Sequence, residues 1–70
     1  MTDLSLLLEK IKKSGLKLSY IAQTLGITRA GLHKKLKGES EFTLREVSSL
    51  CNILGISTLS EKERIFFARG

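Results

Sequence analysis

Residues 28–38, TRAGLHKKLKG, gather Arg29, His33, Lys34, Lys35 and Lys37 in one short segment that holds no Asp or Glu. Guanidinium and ammonium groups donate hydrogen bonds and accept none. The chemistry open to such a set is the binding of anions, and an Arg can engage two adjacent acceptors through its planar fork. Catalysis is not indicated. His33 is the only histidine and has no Ser, Cys or acid partner at a recognisable spacing, and no nucleophile or paired-carboxylate constellation appears elsewhere. One Cys and one His cannot fill a Cys/His metal site, so neither metal nor cofactor is expected. Cys51 reads as a small core hydrophobe, and a lone thiol fits a reducing cytoplasm.

The charge is unevenly spread. The chain carries a net +5. Residues 10–38 contain Lys10, Lys12, Lys13, Lys17, Arg29, Lys34, Lys35 and Lys37 without a single acid, whereas Glu39, Glu41, Glu46, Glu61 and Glu63 all fall after them. A positive field confined to one part of a chain suits a polyanion, nucleic acid being the usual one. The plainer alternative is a solvated surface that keeps the chain soluble. No apolar run approaches the ~20 residues of a membrane span. The opening MTDLSLLLEK has an acid and no basic leader, so no signal peptide is expected. The expectation is a cytoplasmic protein with no membrane partner.

Helices must position these residues. Seventy residues, 41% of them apolar, suffice for one small domain spanning 1–70. There is no proline, and Gly15, Gly26, Gly38 and Gly55 each follow a helix-like segment, where a left-handed cap is wanted. Leu4, Leu7, Leu8 and Ile11 share one helical face and predict a first helix over about residues 3–14, capped by Thr2 or Asp3. Leu18, Ile21, Ala22 and Leu25 repeat the spacing in a second helix that stops at Gly26. Thr28 is a good N-cap for a third, with Ile27 and Leu32 as a hydrophobic staple and Leu36 continuing the buried face. A capping box of Thr43 with Glu46 opens the fourth, whose buried face is Val47, Leu50, Cys51 and Leu54, joined by Leu44. A second box, Ser60 with Glu63, opens the fifth, which carries Ile65, Phe66 and Phe67. Phe66 and Phe67 are adjacent and cannot both enter one core. Either one caps it and the other is exposed, or one builds a dimer interface. The fold class is therefore all-α, with five short helices.

The connection between the second and third helices, LGIT, is too short for anything but a sharp turn. Ala22 is small where the helices cross, Gly26 takes a conformation other residues resist, and Leu25, Ile27 and Leu32 lock the pair from inside. Arg29, Ala30, His33, Lys34 and Lys37 are left facing outward. The stretch GLKLSYIAQTLGITRAGLHKKLKG resembles the helix-turn-helix of phage Cro proteins and lambda-type repressors, the Xre-type family. FTLREVSSLCNILGI is similar to the fourth helix of that family, and EKERIFFARG to the ending of its small phage members, so the likeness spans essentially the whole chain.

What the resemblance implies is a five-helix lambda-repressor-like domain that binds double-stranded DNA and regulates transcription. By position, Arg29, Ala30, His33 and Lys34 match the base-facing residues of the recognition helix. An Arg at its first position can bond guanine O6 and N7. Lys17, Leu18, Thr28 and Lys37 match positions at the DNA backbone. Lys35 either reaches DNA or packs its stem and snorkels, and Lys10, Lys12 and Lys13 form a solvated helix end. Leu18 stands where many members have a polar residue, often Gln, and Lys17 where they have a Ser or Thr cap. Glu39 and Glu41 should repel phosphate, so that either the loop after the third helix points away from DNA or DNA binding is weaker than is usual for the family. A palindromic operator and a homodimer on DNA follow from the resemblance. The alternative is an antirepressor or antitoxin-like modulator that uses the same fold on a repressor-like partner protein.

Overall fold

The computed structural model describes residues 2–67, and its elements are five α-helices: α1 (Leu4–Ser14), α2 (Leu18–Leu25), α3 (Arg29–Leu36), α4 (Leu44–Leu54) and α5 (Leu59–Phe66). No strand occurs among the described residues. No helix among them is long and apolar enough to cross a membrane. The extents of 28 × 24 × 20 Å are about two helix diameters across, so every helix can reach one common core. Each contributes one side chain that is less than 2% exposed: Leu7, Ile21, Leu32, Leu50 and Ile65 in chain order. Ala22, Cys51, Ile56 and Phe66 are buried beside them. Removing an aliphatic side chain of this size from water is worth about 1.5–3 kcal/mol.

The helix ends follow local hydrogen-bonding demand. Asp3, not Thr2, caps α1, its Oδ1 accepting from Leu6 N–H at 3.1 Å. Thr43 caps α4 in a full capping box, with Thr43 N–H donating to Glu46 Oε1 at 2.8 Å and Glu46 N–H donating to Thr43 Oγ1 at 3.2 Å. Gly26 closes α2 in a left-handed conformation, φ +73°, while the Gly26 and Ile27 N–H groups donate to the carbonyls of Gln23 and Ala22. This is the Schellman arrangement, which satisfies carbonyls a helix end would otherwise strand. Gly38 (φ +84°) and Glu39 cap α3 likewise, donating to the carbonyls of Lys35 and Lys34.

Three expectations are corrected. Leu8 is 45% exposed, and Leu6 packs against the core in its place. Leu6, Leu7 and Leu8 are consecutive, so the apolar stripe has two possible edges. The docking of α5 chooses between them: Asp3 N–H donates to the Ile65 carbonyl, and Lys10 Nζ meets Glu61 Oε2 at 2.8 Å. Leu44 does not join the buried face of α4 but is 76% exposed, because it stands at the first position of the helix, beyond the edge of the core. The fifth helix opens at Leu59 under Thr58, whose Oγ1 accepts from Glu61 N–H at 3.2 Å, and not at Ser60 with Glu63. Thr58 and Ser60 each have a Glu three residues on, so the local pattern fits both, and the earlier cap turns Glu61 toward Lys10.

Candidate nucleic-acid interface

The segment 26–28 joins α2 to α3 and makes the two a helix-turn-helix unit. Its inner surface is apolar: Ala22 and Leu25 of α2 and Leu32 and Leu36 of α3 are buried, and Ile27 between the helices packs against the same cluster. Two faces of an eight-residue helix follow from that. With Leu32 and Leu36 turned in, Arg29, Ala30, His33 and Lys34 are all exposed, as is Lys37 at the C-terminal cap. Arg29, His33 and Lys37 lie four residues apart along one line of α3, and Ala30 and Lys34 along the next.

Thr28 caps α3, its Oγ1 accepting from Gly31 N–H at 2.9 Å. The oxygen is engaged there, and the hydroxyl hydrogen remains to donate. Lys17 is exposed and stands at the N-cap of α2 with no side-chain cap bond. Leu18 packs against the core, so what it can offer an anion is its backbone N–H, one of the first-turn donors that have no partner within the helix. Among the described residues, no carboxylate lies within ion-pair distance of Lys17, Arg29, Lys34 or Lys37.

Lys35 is set apart from these. Its Nζ meets Glu46 Oε1 at 3.1 Å, donates to the Glu41 carbonyl at 2.9 Å and lies 5.8 Å from the centroid of the Phe42 ring. The Lys35 and Glu46 side chains are only 13% and 10% exposed. Of the two roles open to Lys35, its stem and head are committed to α4 and the loop before it. Burial works against the charge on Glu46, but the Thr43 N–H, the Lys35 ammonium and the Thr43 hydroxyl outweigh it and hold the carboxyl below its usual range. This pair ties α3 to the start of α4. Lys35 and Glu46 lie on different helices, so no spacing along one helix signalled the pair; the capping box gave Glu46 a local role only. Lys10 and Lys13 are likewise occupied, by Glu61 and Glu9.

The sequence pattern did not single out Tyr20, half exposed on α2, whose hydroxyl can donate to an anion. Nor did it mark the groove of about 140 Å³ bounded by Thr2, Glu41, Phe42, Leu44, Val47, Phe66 and Phe67. Phe66 is buried there, edge-on to Phe42 at 6.5 Å, while Phe67 is 51% exposed. No family model, no curated protein and no solved structure matches the chain.

Proposed function

We propose that the chain is a sequence-specific double-stranded DNA-binding transcriptional regulator of the phage repressor or Cro type, reading the major groove with α3. One observation carries the reading: the second helix of a helix-turn-helix turns outward Arg29, His33, Lys34 and Lys37, with no acid among them and, among the described residues, no carboxylate paired to the three cations. In this reading Arg29, Ala30, His33 and Lys34 meet base edges, and Lys17, the Leu18 N–H, Thr28 and Lys37 meet phosphates. The resemblance of the sequence to Cro and lambda-type repressors supports the same assignment. A homodimer on a palindromic operator accompanies it, with half-sites about one helical turn apart.

A salt titration of binding to random-sequence duplex DNA tests the reading. Each phosphate contact contributes close to one unit to the slope of log affinity against log salt. A steep slope is expected, and affinity indifferent to salt would sink the proposal. A second reading, a modulator that docks on a repressor-like protein, is favoured by the exposure of Leu44 and Phe67 beside a groove floored by Phe42, Val47 and Phe66 and edged by Thr2 and Glu41. Contact through that face would depend little on salt.

A further inference from the structure

The outward face of α3 has an unusual inventory. From Arg29 to Lys37 there is no Asp, Glu, Asn or Gln. Lys35 is withdrawn to Glu46 and the Glu41 carbonyl. What remains exposed is one guanidinium, two ammoniums, one imidazole and the methyl group of Ala30. The cations donate and cannot accept. His33 always presents an N–H, and only its neutral form has an acceptor, a single one. Thr28, the N-cap before the helix, has its oxygen turned to Gly31 N–H, which occupies one of its two lone pairs.

Each base pair shows a distinct pattern in the major groove. Guanine offers O6 and N7, two adjacent acceptors. Adenine sets its N6 donor beside N7 and is read by an amide that accepts and donates side by side. Cytosine shows the N4 donor and is read by a carboxylate. Thymine offers O4 and a methyl group. A face made of donors and one methyl complements guanine and thymine. It sets donor against donor at adenine N6 and cytosine N4.

Resting on the DNA-binding reading above, we infer that α3 reads guanine and thymine. Arg29 takes O6 and N7 of a guanine in each half-site, and the Ala30 methyl packs on the C5 methyl of a thymine. No side chain of α3 sets an acceptor beside a donor, as adenine requires, or carries a carboxylate, as cytosine requires. Lys34 and His33, one turn along, add donors to guanine acceptors or to phosphate.

Selection of bound sites from random duplexes, followed by base-analogue substitution, tests this. The expected site has at least one invariant guanine per half-site, and exchange of that guanine for adenine weakens binding about 5- to 100-fold. Replacing the same guanine with 7-deazaguanine, which lacks the N7 acceptor, should weaken the wild-type protein about tenfold and leave Arg29→Ala indifferent. Uracil in place of thymine, which removes only the methyl group, should weaken binding by a smaller factor. The losses on analogue duplexes are read on the wild-type protein, so a change in folding cannot imitate them. Selected sites with no invariant G·C pair in the half-site would overturn the inference and leave DNA binding standing, as would wild-type indifference to 7-deazaguanine. No binding to any duplex at low salt would overturn the DNA-binding reading itself, and this inference with it.

Discussion

Gly26 holds φ at +73° with open space where a Cβ would project, so the demand for glycine there is conformational and not steric. A β-branched side chain resists that region of backbone space, whereas Asn visits it readily. Gly26→Val should lower unfolding stability by more than the ~1 kcal/mol typical of a point change, and Gly26→Asn by clearly less. Equal thermal midpoints for the two variants would contradict this account. Glu46 presents a different case, a charge kept in a nearly buried place by its neighbours. Because its pKa is lowered on folding from the ordinary 4.5, its contribution to stability is present above that value and is lost as pH falls through the folded one. Glu46→Gln should therefore flatten the acid limb of the stability curve. It should also cost at least about 1 kcal/mol at neutral pH, since Lys35 would be left without its counter-charge. An acid limb unchanged by the substitution would show that the pair is not formed in solution.

The helices are set by their ends as much as by their faces. The beginning of α5 is the sharpest example, since Thr58 and Ser60 both precede a Glu by three residues. Thr58→Ala removes the acceptor of Glu61 N–H and should cost about 0.5–2 kcal/mol, whereas Ser60→Ala, inside the helix, should change stability by no more than about 0.5 kcal/mol. The reverse order in a denaturant titration would move the helix start to Ser60. The α2–α3 pair shows the same logic on a larger scale. Leu32 and Leu36 fix the roll of α3, Lys35 binds its far end to α4 through Glu46, and the outward row from Arg29 to Lys37 is what these attachments leave uncovered.

For the molecule as a whole, two surfaces differ in kind. One is cationic and lies on α3. The other exposes large hydrophobic side chains, Leu44 and Phe67, which flank the groove beside Phe66 together with Thr2 and Glu41. Reversing Lys34 and Lys37 to Glu should abolish duplex binding while leaving the helical circular dichroism intact, because both side chains are exposed. Phe67→Ser should act differently. In a DNA-binding dimer it should shift the sedimentation equilibrium toward monomer and weaken operator binding indirectly. A pattern in which Phe67→Ser alone destroys function, with the Lys reversals silent, would favour the protein-partner reading.

Periodicity and capping residues alone determined that the chain is helical, where four of the five helices begin and end, and which side of α3 faces outward. Those features depend on neighbours within one or two turns, where backbone hydrogen bonding and side-chain spacing act directly. The same local signals left α5 with two equivalent starts and α1 with two possible edges to its apolar stripe. Packing resolved both, through contacts between α1 and α5 that are remote in sequence. Tertiary structure likewise decided that Leu44 stays outside the core, that Phe66 and not Phe67 is buried, and that Lys35 is bound to Glu46 rather than left on the cationic face. Each of these depends on which surfaces meet when the helices close around Leu7, Ile21, Leu32, Leu50 and Ile65, and residue spacing along a single helix carries no record of that meeting.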